Sequence, residues 1–342
     1  MRHYMNLSAK VLLASFVAAI WARATLVPDL DLPALVDESD AIVVGEVVAV
    51  TPQGRTVAGG QSLSGASMRA ELRVEKVLKG SPQSQQITFH FFFPDAPVGY
   101  GTVPKGQFGV FFLRKSAAGY ETASAYYPFL VASPASPPTR GSIADQVIAE
   151  VAYVLRSPEA SSESRMAAVL TLNTARVPLS TAALKAAAAD RDLRVRCFAL
   201  AALMERNDIS LLPEAQGVLL HPPVTADANW VNAIAFGIRD GVRDVRAMPL
   251  VEPLLHAKNV EARRAAAAAI RTMGGPSAIE PLTQALWDTD RDVRYYAVVG
   301  LGEITGQNEW TPAIDYFAQN EEKFLTHWRE WAKSHEPKSP AP

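Results

Sequence analysis

A pattern repeated along the second half of the chain constrains its fold most strongly. Arg165, Arg196, Val231, Arg263 and Arg294 lie 31, 35, 32 and 31 residues apart, and mostly small or apolar residues follow each at the third, sixth and seventh positions. Each unit has room for two helices, and neither helix can bury its apolar face alone, so the units must stack into a solenoid. This architecture favours a binding scaffold.

The clearest copy spans residues 259–306. Small residues recur at helical spacing over 260–270, which lets two helices approach closely. The Gly-Gly-Pro sequence at 274–276 predicts the end of that helix and the start of a second, whose apolar stripe continues to Leu286. The acidic residues of 290–294 then start the next unit, because carboxylates are favoured at helix N-termini.

Residues 290–301 follow the pattern Asp-x-x-Val-Arg-x-x-Ala, with Gly-Leu after two further residues. This resembles the bacterial HEAT-like repeats that also occur in phycobilin lyases. Residues 195–203 and 165–172 follow the same pattern, whereas the unit at Val231 lacks the arginine, and we interpret it as degenerate. The resemblance implies an all-α solenoid over 142–335.

The same resemblance implies a structural role for the repeated arginines, each paired with an acidic side chain of a neighbouring repeat. Glu163, Glu261 and Asp292 each lie two residues before such an arginine. We therefore do not interpret these arginines as a nucleic-acid-binding stripe.

The N-terminus has the pattern of a secretory signal peptide over residues 1–24. Arg2 and Lys10 precede an apolar run over 11–21, and the small-x-small triplet 22–24 fits cleavage before Thr25. No later segment predicts a membrane span, and no cysteine follows the apolar run to carry a lipid. We expect an exported, soluble protein, periplasmic or secreted.

Composition excludes two further features. The only cysteine, Cys197, cannot form an internal disulfide, so we expect it to be filler in a repeat helix. Loss of the signal peptide would move the formal net charge from −2 to −5, because it removes three basic residues and no acidic one. An acidic chain has no electrostatic reason to bind nucleic acid.

Between the signal peptide and the repeats, the apolar period changes to that of strands. We predict strands over 41–50, 68–78, 86–93, 106–115 and 120–126, with a flexible loop over Gln53–Ser67 that is rich in Gly and Ser. Five short strands indicate a small closed barrel or a sandwich over residues 28–132.

Three segments carry a resemblance in this region, namely 39–47, 74–80 and the Lys105-Gly106-Gln107 turn before an apolar strand. They resemble the oligonucleotide/oligosaccharide-binding (OB) type of barrel found in tissue inhibitors of metalloproteinases and netrin modules. That resemblance implies an OB-like five-stranded barrel and protein binding. Inhibition of metalloproteinases is not implied, because this chain lacks the N-terminal cysteine and the disulfides of those animal proteins.

The phenylalanines of 89–93 suggest a ligand pocket around His90, but alternate phenylalanines also fill the core of a barrel, and we favour that interpretation. Residues 133–141 are rich in proline and predict a semi-rigid, protease-sensitive linker. Ser142, with Asp145 three residues later, then predicts the capped start of a helix that seals the first repeat.

The sequence contains none of the common catalytic or phosphate-binding motifs, and its histidines are not at metal-ligand spacing. We therefore predict no enzyme activity, no catalytic residue, no cofactor and no metal. Phe324, Trp328 and Trp331 share one face of a helix near the C-terminus. We favour a capping helix for the solenoid there and keep partner docking as the alternative, and we expect a disordered tail over 336–342.

The predicted function is an exported, non-enzymatic scaffold in which the barrel and the solenoid hold a protein or peptide. In such solenoids the second helices of the repeats line the concave side, and the predicted partner-binding residues there are Glu252, His256, Thr283 and Trp287. The alternative is an enzyme or enzyme accessory, similar to the lyases, with its site on the same concave face.

Overall fold

The computed structural model describes residues 30–58, 63–95 and 101–335. The chain divides into two compact units, unit 1 up to Ala183 and unit 2 from Leu184, and each is described by itself. The predicted signal peptide 1–24 and tail 336–342 lie outside the described residues. The predicted domain limits, with a barrel at 28–132, a linker at 133–141 and a solenoid at 142–335, stay predictions.

Unit 1 contains a sheet of six described strands. The strands are β1 (Ala41–Ala58), β2 (Leu63–Lys79), β3 (Gln86–Pro94), β4 (Phe108–Ser116), β5 (Gly119–Thr122) and β6 (Phe129–Val131). Their order is β1-β2-β3-β5-β4-β6, and β1 also pairs with β4. All pairs are antiparallel except β3 with β5. The five predicted strands are present, and β6 was not predicted.

The predicted flexible loop over Gln53–Ser67 is wrong. Strand β1 continues to Ala58 and β2 begins at Leu63, and their backbones pair from Gly54 with Ser67 to Ala58 with Leu63. Strand β3 continues the sheet beside this part of β2, with Pro94 opposite Gly65. Asp95 accepts a hydrogen bond from the Ser64 hydroxyl at 2.7 Å and pairs with Arg55. Cross-strand pairing therefore overrides the weak strand propensity of Gly and Ser.

Aromatic side chains fill the interior of the sheet, as predicted. Phe89 and Phe111 are fully buried, with ring centroids 5.7 Å apart, and Phe91 lies 6.2 Å from Phe89. Val43 and Leu72 complete the same cluster. The intervening His90 is only half-buried, and its Nδ1 has no hydrogen-bond partner among the described residues. Phe89 and Phe91 are therefore packing residues.

Three helices complete unit 1, and a fourth spans the division between the units. They are α1 (Leu32–Glu38), α2 (Ile143–Val154), α3 (Ser162–Thr174) and α4 (Pro178–Ala187). The predicted capping box of α2 is confirmed, because the Ser142 side chain accepts from the Asp145 N–H and Asp145 accepts from the Ser142 N–H. Helix α2 packs on α1, on α3 and on strands β2 and β6.

A buried ion pair joins α2, β2 and the proline-rich segment 133–141. Glu150 of α2 is 1% exposed and lies 3.1 Å from Lys76 Nζ of β2. The same ammonium donates to the backbone oxygen of Ser136 and, at 2.7 Å, to its Oγ, and Ser136 Oγ also donates to Glu150. Ser133 Oγ bonds Ser157 Oγ at 3.2 Å. These contacts favour slower cleavage of 133–136 than the sequence alone predicts.

Unit 2 is helical after α4, with the helices arranged in two layers. The first helices are α5 (Leu193–Glu205), α7 (Ala228–Gly241), α9 (Val260–Met273) and α11 (Arg291–Thr305), and consecutive members pack on one another. The second layer contains α6 (Leu212–Leu220), the segment Val245–His256 with α8 (Met248–Val251) at its centre, α10 (Ile279–Ala285) and α12 (Ile314–His335). This succession of helices confirms the helical part of the predicted fold class.

Short polar side chains cap the first helices. Asp192, Asp227, Asn259 and Asp290 each accept a hydrogen bond from the N–H two residues later, where α5, α7, α9 and α11 begin. This satisfies backbone donors that have no partner inside a helix. The degenerate unit at Val231 keeps its cap although it lacks the arginine, and Val231 is buried.

The repeated arginines hold the turn before their own helix. Arg196, Arg263 and Arg294 each donate from Nη1 to the backbone oxygen six residues earlier, at 2.7, 3.1 and 2.7 Å. Arg263 also pairs with Asp288 at 2.8 Å, and Arg294 pairs with Glu321. The predicted pairing between neighbouring repeats is therefore confirmed in kind. The partner of Arg263 is Asp288, and Glu261 instead pairs with Arg264.

The C-terminal helix closes the second layer. In α12, Phe324 and Trp328 are 2% and 0% exposed, and the helix packs on α10 and α11. Asn320 has non-helical backbone angles and kinks the helix. The buried aromatic face supports the capping interpretation, because a terminal helix needs one apolar face against its neighbour and one polar face toward solvent.

Candidate partner-binding surface

Unit 2 has one surface formed by successive second helices. We use the name second-helix face for the solvent-facing residues of α6, of the segment 245–256 and of α10, together with Trp287, which follows α10. The buried side of these elements carries Leu212, Val251, Leu254, Leu282 and Leu286. The residues of these elements that are not buried face solvent and are available to a partner.

The four predicted partner-binding residues lie on this face. Glu252 and Thr283 are half-exposed, His256 is exposed, and Trp287 is 63% exposed. Glu252 and Thr283 are 31 residues apart, as are His256 and Trp287 and the repeated Arg263 and Arg294. The structure therefore places the four residues at two equivalent positions on adjacent second helices, which contact each other.

Trp287 is the most prominent apolar feature of the second-helix face. Arg329 of α12 lies over its ring, with the guanidinium carbon 4.0 Å from the ring centroid. Arg329 Nη2 donates to the backbone oxygen of Leu286 at 2.8 Å, which fixes the guanidinium against the indole. A stacked cation holds one side of the ring while most of the side chain stays in solvent. Exposed, rigidly held tryptophan is typical of interface anchors.

On the first helices and their turns, several carboxylates are paired across repeats. Arg264 Nη2 lies 2.7 Å from Asp290, whose pKa is lowered chiefly by this hydrogen bond. Arg271 lies 2.6 Å from Glu303, and the bond raises the pKa of the guanidinium. These pairs join successive first helices and therefore have a structural role in stacking.

Sequence reasoning missed two residues of the second-helix face, Glu214 and Glu280, and the neighbouring Arg329 of α12. Arg329 lies 42 residues from Trp287, and a helical pattern gives no sign of which loop a cap side chain reaches. Glu214 and Glu280 were overlooked because carboxylates are common in such repeats. Only the fold shows that no described Lys, Arg or His side chain lies within 4.0 Å of these two carboxylates.

The described residues include one free thiol and no cluster of metal ligands. Cys197 is fully buried, and burial raises the pKa of its thiol to about 11, so the reactive thiolate is scarce at neutral pH. Within 30–58, 63–95 and 101–335, no three His, Cys, Asp or Glu side chains converge on a possible metal position. None of the helices in these ranges has the length and apolarity needed to cross a membrane.

A second aromatic group lies on α12 and its preceding turn. The His327 ring is stacked on Trp310, with centroids 3.6 Å apart, and its Nε2 lies 3.2 Å from Gln307 Oε1. Burial against the tryptophan lowers the pKa of His327. Trp310, His327 and Gln307 contact one another. These contacts support a capping helix at the C-terminus rather than a stripe that docks a partner.

One family of known proteins matches part of the helical region of unit 2. Residues 225–302 match the family described as HEAT repeats. The match begins before α7 and ends within α11, so it includes the unit that lacks the arginine. This region of the chain is HEAT-like.

The chain was also compared with curated proteins and with solved structures. No curated protein gave a significant match. Among solved structures, the X-ray structure of YibA from Escherichia coli is similar over 47% of this chain and 60% of that chain, with 19% identity and a TM-score of 0.33. The similar region thus covers 60% of the YibA chain.

Proposed function

We propose that this protein is an exported, non-enzymatic scaffold that holds a protein or peptide on its second-helix face. The observation that carries the proposal is Trp287, a 63% exposed indole that directly follows α10 and is stacked against Arg329. HEAT repeats commonly mediate protein interactions, which agrees with this role. A solenoid presents an extended surface that suits a polypeptide better than a small molecule.

The sheet of unit 1 is proposed to be an OB-like barrel that contributes to the same scaffold. Its pairing runs β1-β2-β3-β5-β4 and returns to β1, with β3 and β5 parallel. This closed order supports a barrel. The phenylalanine-filled interior leaves its outer surface and loops for any contact with a partner.

The binding prediction is tested by capture from an envelope extract. The immobilised processed chain should recover a protein that is lost when Glu252, His256, Thr283 and Trp287 are all changed to alanine, because the change removes the indole anchor and its polar surroundings. Asn229→Ala with Arg291→Ala, two exposed first-helix positions, is the control and should capture normally. If the four-alanine variant captures the protein equally well, and its melting temperature equals that of the unchanged chain and of the control, the partner binds at another surface.

Export is tested with the full-length chain expressed in a bacterium. We expect N-terminal sequencing of the envelope fraction to begin at or near Thr25, since the small-x-small triplet 22–24 precedes it. A cytoplasmic product that keeps residues 1–24 would contradict export. Recovery of the unprocessed chain with the membranes would show an uncleaved anchor instead.

A further inference from the structure

The second-helix face carries carboxylates that have no cation nearby. Glu214 of α6, Glu252 of the segment 245–256 and Glu280 of α10 form no salt bridge within 4.0 Å in the described part of the chain. Each lies on a different, successive second helix. The basic residue among these elements, Arg246, is already paired with Asp244 at 2.5 Å. The second-helix face therefore presents three carboxylates that no ion pair among the described residues neutralises.

Several carboxylates of the first helices and their turns are paired instead. On the first helices and their turns, Asp288, Asp290 and Glu303 are each bridged to an arginine. Carboxylates that stack repeats are neutralised, and those on the second-helix face are left for solvent. A cationic partner would gain from all three, whereas an anionic partner would be repelled by each.

Trp287, which follows α10, suits the same occupant. Arg329 covers one side of the indole and is held there by the backbone oxygen of Leu286, so the open part of the ring can take an apolar stem or a second cation. Lysine and arginine offer both in one side chain, since their methylenes pack on apolar surface while the charge reaches outward. The exposed indole of Trp287 and the carboxylates of the second-helix face thus both favour a ligand with lysine or arginine side chains.

We infer that the partner of the second-helix face is an extended, basic segment of a protein. Packed helices lie about 8 to 10 Å apart, and an extended chain rises about 3.3 Å per residue, so such a segment would pass from one second helix to the next in about three residues. At physiological salt the Debye length is about 8 Å, so each carboxylate acts mainly on the nearest cation. The inference rests on the proposed function and adds the chemistry of the partner.

The test uses two labelled twelve-residue peptides and the whole chain from Thr25 onward. One peptide repeats Lys-Leu-Ser four times, and the other repeats Glu-Leu-Ser, so that only the charge differs. Fluorescence anisotropy should show binding of the lysine peptide alone, weakening as salt is raised. The triple variant Glu214→Gln, Glu252→Gln and Glu280→Gln should weaken binding about ten-fold, because exposed ion pairs contribute modestly and three are lost.

The control makes the same change of net charge on unit 1. Glu38→Gln, Glu75→Gln and Glu159→Gln alter three exposed glutamates of unit 1 and should leave the affinity unchanged. Equal loss in this control would mean that only net charge matters and would overturn the inference. Tighter binding of the glutamate peptide, or salt-insensitive self-association lost on Trp287→Ala, would also overturn it.

The natural partner separates failure of this inference from failure of the proposed function. If capture is lost in the four-alanine variant yet unchanged in the triple glutamine variant, the second-helix face binds its partner without using charge. The basic-segment inference would then be wrong while the proposed function stands. Loss of capture in both variants is the expected result.

Discussion

Glu150→Gln is expected to lower the free energy of unfolding by about 3 kcal/mol, because it leaves the Lys76 ammonium half-buried without its countercharge. Removing one partner of a buried pair costs about 3 to 5 kcal/mol, and the 23% exposure of Lys76 places this case at the low end. Urea denaturation followed by circular dichroism measures the change. Glu159→Gln, at an exposed carboxylate of unit 1, should change stability by less than about 0.5 kcal/mol.

A double substitution distinguishes an electrostatic cause from loss of packing. Lys76→Met combined with Glu150→Leu should recover most of the lost stability, since an apolar pair of similar volume avoids the desolvation of both charges. The Ser136 hydroxyl, which donates to Glu150, would lose that acceptor and keep a small residual cost. If Glu150→Gln alone leaves the urea midpoint unchanged, the ion pair does not hold the proline-rich segment in place.

The second large effect is a pair of glycine substitutions with opposite signs. Gly237 lies in α7, and a methyl group there would come within 2.5 Å of the Ala201 backbone oxygen in α5. We expect Gly237→Ala to destabilise the protein by about 1 to 3 kcal/mol through overpacking. Gly217 lies in α6 with nothing within 4 Å of the added methyl, so Gly217→Ala should stabilise it by about 0.5 to 1 kcal/mol.

Thermal denaturation of both glycine variants beside the unchanged chain provides the comparison. An increase of melting temperature for Gly217→Ala and a decrease for Gly237→Ala are expected. A stabilising effect of Gly237→Ala would show that α5 and α7 are not in close contact, and the stacking of the first helices would need revision.

Local patterns predicted those parts of the fold that depend on neighbouring residues. The alanine-rich stripe of α9 and the Gly274-Gly275 ending appear as predicted, because both glycines need the positive φ angles of +64° and +76° that they adopt. Ser142 caps α2 because its acceptor reaches an N–H three residues away. These features follow from the chain's own local geometry.

Features that depend on distant residues were predicted less well. The extension of β1 to Ala58 depends on pairing with β2 and on Asp95, which is 40 residues from its partner Arg55. Arg263 finds Asp288, 25 residues later, and not the nearby Glu261. The buried contact of Ser136 with Lys76, 60 residues apart, could not be read from a segment whose prolines are typical of linkers.

The candidate site shows the same division. The position of Trp287 on the second-helix face followed from the repeat period, which fixes which side of a second helix is buried. Its stacking with Arg329 and the unpaired state of Glu214 and Glu280 did not, because both depend on side chains brought near by the fold or kept away by it. A period predicts a surface, and its chemistry requires tertiary contacts.

The most direct test of the central claim is photo-crosslinking in cells that produce and process the chain. A benzophenone amino acid is placed at Trp287 or His256 on the second-helix face, and at Thr272, an exposed first-helix position, for comparison. We expect one protein to be crosslinked at positions 287 and 256 and no crosslink to that protein at position 272. Crosslinking of a protein only at 272, or of none at 287 and 256 while the chain is folded and exported, would contradict it.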